Sequence, residues 1–117
     1  TGYITLKWLS QYEPFISKRI PEIMDLNVLP DFRQSGIGNT LLQVAEEKAA
    51  NQSDVVGIGV GLYGGADGGY GQAQRLYVKR GYLPDGLGVT YGYQSTVPGQ
   101  SYALDDDLIL WFTKKLR

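Results

Sequence analysis

The segment most able to do chemistry is Arg33-Gln34-Ser35-Gly36-Ile37-Gly38, between a strand-like run and the longest helical pattern of the chain. Its two glycines let a ligand approach the backbone closely. The helix start leaves several amides without intrahelical partners, at the positive end of the helix dipole. Together these groups make an anion site. The first helical turn carries no Asp or Glu, and Glu46 and Glu47 come only beyond the second turn. A site kept free for an external phosphate has this composition, and so does a plain glycine-containing strand–helix turn.

The rest of the inventory is short. The chain has no cysteine, which excludes disulfides, a thiolate nucleophile, zinc–thiolate and iron–sulfur sites. It has no histidine, the commonest metal ligand and general base. Chemistry must come from carboxylates, tyrosines, hydroxyls, lysines, backbone amides or a borrowed cofactor. No metal is expected. Asp105-Asp106-Asp107 is a poor metal or cation site, because adjacent residues of an extended segment point apart, and a solvated turn is expected there. Gly59-Val60-Gly61-Leu62-Tyr63-Gly64 matches Gly-x-Gly-x-x-Gly in letters only. A dinucleotide fingerprint needs those glycines between a strand and a helix, whereas here the first two lie within the strand.

The elements that must position these groups follow from periodicity. Residues 3–9 and 23–29 read as strands, the second ended by Pro30, and residues 11–20 with Pro14 read as a loop. Ile37, Leu41, Val44, Ala45 and Ala49 recur at helical spacing and predict a helix over 36–51. A turn at 51–54 leads to a strand at 55–62 with glycine at alternate positions 57, 59 and 61. Gly64–Gly69 reads as a loop, followed by a helix over 72–79 that stops at Gly81. Strands at 89–93 and 108–113 close a β-β-α-β-α-β-β order, an α/β or α+β layered domain.

At 117 residues, 43% hydrophobic and 20% charged, one globular domain is expected. A net charge of −1 argues against nucleic acid as a partner. No apolar run is long enough to span a bilayer, so no membrane is expected, and the lack of cysteine fits a cytoplasmic location. The chain opens at Thr1 already inside strand-like residues, which predicts a piece of a longer domain.

Two motifs carry a specific resemblance. Leu26-Asn27-Val28-Leu29-Pro30-Asp31-Phe32-Arg33-Gln34-Ser35-Gly36-Ile37-Gly38 resembles the acetyl-CoA signature of the GNAT family of N-acetyltransferases. Ala73-Gln74-Arg75-Leu76-Tyr77-Val78-Lys79-Arg80-Gly81-Tyr82 is similar to the second family motif, in the right order and with a strand between. The resemblance implies a mixed, mostly antiparallel sheet flanked by helices, in a single acetyltransferase-like domain over residues 1–117 that lacks the N-terminal part of the family fold. It also implies acetyl-CoA as co-substrate. Backbone groups of Leu26, Asn27 and Val28 would pair with the pantetheine arm. The amides of Gln34, Ser35, Gly36, Ile37, Gly38 and Asn39 would hold the pyrophosphate, with Arg33, Lys79 or Arg80 against phosphate charge. One departure is Tyr70, where the family often has Asn.

The expected function is transfer of an acetyl group from acetyl-CoA to a primary amine by direct attack through a tetrahedral intermediate. With no His or Cys, the base is a carboxylate or a water relay. Glu22 is the first candidate, on the strand running into the motif where several family members carry a catalytic glutamate, and Asp25 is the second. Tyr77 occupies the tyrosine position from which family members often protonate the departing thiolate. Expected partners are a small-molecule or peptide amine acceptor, with tyrosines such as Tyr91, Tyr93 and Tyr102 as candidate groove residues, and a homodimer is compatible with the chain. The alternative is a coenzyme A-binding domain or fragment without turnover.

Overall fold

The computed structural model describes residues 2–28, 37–64 and 70–116. In chain order the elements are β1 (Gly2–Lys7), α1 (Glu13–Lys18), β2 (Glu22–Val28), α2 (Ile37–Ala50), β3 (Val55–Gly61), α3 (Gly71–Lys79), β4 (Leu83–Tyr91), β5 (Gln94–Ser95) and β6 (Leu108–Lys115). The strands form one mixed sheet in the order β1-β2-β3-β6-β4-β5. The pairs β1–β2, β4–β5 and β4–β6 are antiparallel, and β2–β3 is parallel. A parallel pair needs a crossover of a dozen or more residues, and α2 supplies it. The α/β class and the mixed, mostly antiparallel sheet are as expected. The chain divides into two compact units, Thr1–Ile58 with Lys114–Arg117, and Gly59–Thr113.

In the first unit, α1 replaces the loop expected at 11–20. Pro14 lies in the first helical turn, where the missing amide hydrogen costs no bond, so it starts the helix instead of preventing one. Phe15 is 1% exposed and meets Tyr12 edge-on with ring centroids 4.8 Å apart. A Cβ on Gly57 of β3 would land on the Phe15 ring. Glycine there lets the aromatic side chain lie flat against the strand.

The buried stripe of α2 is Gly38, Leu42, Ala45 and Ala49, turned by about one residue from the predicted Ile37–Leu41–Val44 face. Val44 is exposed and Leu42 fully buried. Both stripes have helical spacing. Leu42 takes the inner position, and Glu46, four residues on, lies on the same face with its buried carboxylate paired to Lys114 at 3.0 Å.

In the second unit, Gly59 lies under Trp111 and Ile109, and Gly61 under the ring of Tyr70. Trp111 is 1% exposed, and its indole Nε1 donates to Thr90 Oγ1 at 2.8 Å. α3 ends at Gly81, φ +96, where the Tyr82 amide donates to the Tyr77 carbonyl at 3.0 Å. The strand expected at 89–93 starts at Leu83 instead. Its pairing with β6 breaks between Pro84 and Val89, and left-handed Gly86 and Gly88 within that gap hide the strand from a periodicity reading. Gly92 and Tyr93, both at positive φ, make the tight turn into β5.

Candidate active site

β2 has neighbours on both edges at its start, where Glu22 aligns with Lys7 of β1 and with Gly57 of β3. The Glu22 side chain is buried, 5% exposed, and a buried carboxylate requires donors. One comes from Ser10, itself buried, whose hydroxyl donates to Glu22 Oε1 at 2.6 Å. The same Ser10 oxygen accepts the Tyr12 amide at 3.0 Å, which fixes the hydroxyl's orientation. Sequence reasoning missed Ser10. It lies twelve positions upstream, between the strand read at 3–9 and the loop read at 11–20, and no local pattern marks it as a partner of Glu22.

Beyond Ile23 the two edges of β2 differ. On one edge Asn27 and Val28 align with Tyr3 and Gly2 of β1. On the other, parallel pairing covers Glu22 and Ile23, and no later residue of β2 has a ladder partner there among the described residues. Asp25, Leu26, Asn27 and Val28 all fall in this stretch. Backbone groups left open on one edge of a strand can pair with an extended ligand as another strand would.

The predicted phosphate loop falls largely at residues 29–36, so Arg33, Gln34, Ser35 and Gly36 lie outside the described residues. Ile37, Gly38 and Asn39 open α2, whose first turn carries no acidic residue. Gly38 is buried and Asn39 exposed.

In the second unit, α3 carries Tyr77 on its inner face. Tyr77 is 5% exposed and packs against the fully buried Tyr82, ring centroids 5.9 Å apart. Burial pushes its phenol up to about 12. The group is thus protonated throughout the neutral range, with its proton available to donate there. Lys79 is exposed and Arg80 half-buried at the end of the same helix.

Asp105–Asp107 form the turn expected before β6, but two of the three carboxylates are held in place. Asp106 accepts the hydroxyls of Tyr63 at 2.5 Å and Tyr70 at 2.9 Å, and Asp105 accepts that of Tyr91 at 2.7 Å. The two phenols lower the pKa of the Asp106 carboxyl, while the bond to Asp106 raises that of Tyr63. Tyr70, at the departure from the family pattern, instead lies over Gly61 and meets Tyr63 edge-on at 5.1 Å. Of the tyrosines named as groove candidates, Tyr91 packs with Tyr102 and Tyr93 with Trp111, each pair 6.0 Å apart. Among the described residues, no group of three or more acidic side chains could hold a metal ion, and no helix is long and apolar enough to cross a membrane.

Residues 1–82 match the model of the acetyltransferase (GNAT) family. No curated protein sequence matches the chain. Among solved structures, Naa20 of Chaetomium thermophilum, in complex with a bisubstrate analogue, is 24% identical with a TM-score of 0.63. That match covers 97% of this chain and 58% of Naa20. An acetyltransferase of the GNAT family from Staphylococcus aureus Mu50 is 18% identical with a TM-score of 0.60, over 99% of this chain and 60% of that one. The chain therefore spans less than two thirds of either structure.

Proposed function

The chain belongs to the GNAT acetyltransferase family, and from that we propose that it transfers an acetyl group from acetyl-CoA to a primary amine. The observation that carries this reading is the family match over residues 1–82, because it takes in both the Glu22–Gly38 stretch and the α3 motif up to Tyr82. The residues fit the co-substrate. β2 offers an open edge at Leu26–Val28 for the amide-bearing pantetheine arm, and α2 begins without an acid that would repel a pyrophosphate. In this reading the amides of Gln34–Asn39 take the pyrophosphate, with Arg33, Lys79 or Arg80 against phosphate charge.

Each proton then has a place to go. The acceptor arrives as an ammonium ion and loses one proton to Glu22, directly or through a water. The freed nitrogen attacks the thioester carbonyl, forming the C–N bond of a tetrahedral intermediate, and an amide from Leu26–Val28 stabilises the developing oxyanion. The C–S bond breaks, and the nitrogen's second proton ends on the departing sulfur. Tyr77 serves there as hydrogen-bond donor. A phenol near 12 is a weaker acid than an ordinary thiol of about 8.5, so complete transfer to a solvated thiolate would be uphill by roughly 5 kcal/mol. Desolvation that lifts the phenol also lifts a thiolate leaving beside it, which narrows the gap. Asp25 is the second candidate for the base.

The test is thiol release from acetyl-CoA with a panel of small and peptide amines, run beside a binding titration. Saturable acetyl-CoA binding with amine-dependent release is expected. Binding without release for every amine would leave a coenzyme A-binding module and overturn the enzyme reading.

A further inference from the structure

At the opposite end of β2 from the proposed coenzyme site lies a cavity of about 420 Å³, within the ordinary range for small-molecule pockets. Its walls are Trp8, Phe15, Ile16 and Pro21, and its polar lining includes Ser10, Arg19, Gln52 and Ser53. From Pro21, which precedes β2, to Val28 at its end is roughly 20 Å of strand, so the cavity is separate from the Leu26–Val28 end of β2.

The polar groups of the cavity divide into two kinds. Ser10 is committed to Glu22 and the Tyr12 amide, and Ser53 both donates to and accepts from the backbone of Val55. Arg19 and Gln52, by contrast, have side chains with no partner among the described residues, and none of those residues sets a carboxylate beside the Arg19 guanidinium. Trp8 is 47% exposed at the same cavity, so its indole is accessible to a ligand there.

Arg19 is also misplaced by local backbone rules. α1 ends with the Arg19 amide on the Ile16 carbonyl and the Ile20 amide on the Phe15 carbonyl, a geometry that places Arg19 at φ +56. Glycine is the residue that occupies this left-handed position without strain. Here the chain carries an arginine, at the mouth of an apolar, aromatic-walled cavity that contains no counter-charge.

We infer that this cavity binds a small aromatic carboxylate, with the ring against the exposed faces of Trp8 and Ile16 and the carboxylate on the Arg19 guanidinium. A planar fork of donors suits a carboxylate, and an aromatic ring suits the indole face of Trp8. The inference does not depend on acetyl transfer, and its test involves no turnover.

The experiment is calorimetric titration with phenylacetate and indole-3-acetate, each beside its neutral primary amide. The acids are expected to saturate and their amides to bind at least tenfold more weakly. Arg19→Gly removes both the strain and the guanidinium. It should therefore raise Tm by about 3 °C while weakening the acids at least tenfold. Arg19→Gln, which keeps side-chain bulk, should weaken them equally. The proposal is overturned if neither acid saturates, if acid and amide bind alike, if either variant binds the acids as the parent does, or if Arg19→Gly lowers Tm.

Discussion

Tyr77→Phe separates a catalytic phenol from a packing aromatic, because it keeps the ring and its contact with Tyr82 and removes only the hydroxyl. That hydroxyl has no hydrogen-bond partner among the described residues, so at pH 8 the variant should match the parent in stability within about 1 kcal/mol. The difference should appear in alkali. Burial raises the Tyr77 phenol from 10.0 to about 12, and each unit corresponds to about 1.4 kcal/mol. Below pH 10 the phenol is protonated in both the folded and the unfolded chain, and its contribution is fully present. Between pH 10 and 12 the unfolded chain ionises first, so the parent loses up to about 2.7 kcal/mol through this group, roughly half of it by pH 11. Tyr63, Tyr70 and Tyr91, also raised, lose stability in the same direction, but they do so equally in parent and variant. Urea unfolding at pH 8 and pH 11 isolates Tyr77 as the change in the difference between the two proteins, expected to be about 1.4 kcal/mol in favour of the variant. At neutral pH the variant should keep acetyl-CoA affinity and lose at least about tenfold in turnover. Turnover within a factor of two of the parent would assign Tyr77 to packing. No change in the stability difference between the two pH values would refute burial as the cause of the shift.

Three other substitutions test other parts of the account. Glu22→Gln keeps the shape and a hydrogen bond from Ser10, and should lower turnover by roughly 100-fold or more with acetyl-CoA affinity unchanged in a titration. Gly57→Ala drives a methyl group into the Phe15 ring and should destabilise the chain by about 1–3 kcal/mol in urea unfolding. Gly71→Ala has open space around its Cβ at the start of α3, and should stabilise by about 0.5–1 kcal/mol in the same assay.

The strands and long helices were legible where a single period ruled. β3, α2 and α3 fall within a residue or so of their expected bounds, because each carries an uninterrupted pattern and a turn signal at one end. What escaped depended on contacts distant in sequence. The alternating glycines of β3 had no evident reason in the sequence, and Phe15 and Tyr70 show that they make room for aromatic rings at Gly57 and Gly61. The Glu46 carboxylate on the buried face of α2 could not be foreseen, because its partner Lys114 lies far along the chain. Pro14 read as a helix breaker because position within a turn, not residue type, decides its effect. Glu22 could be proposed from the resemblance, but its Ser10 donor could not, since a loop residue twelve positions away leaves no periodic trace. Asp106 is exposed in a turn as expected, but only the folded chain brings the hydroxyls of Tyr63 and Tyr70 to it.

The central claim is that an acetyl group leaves acetyl-CoA and arrives on an amine through Glu22 and Tyr77. The most direct measurement is mass spectrometry of the amine pool after incubation with acetyl-CoA and the parent chain, Glu22→Gln or Tyr77→Phe. The account predicts an N-acetylated product with the parent and at least tenfold less of it with each variant at equal acetyl-CoA occupancy. Product formed equally by all three proteins, or by none while acetyl-CoA is bound, would contradict it.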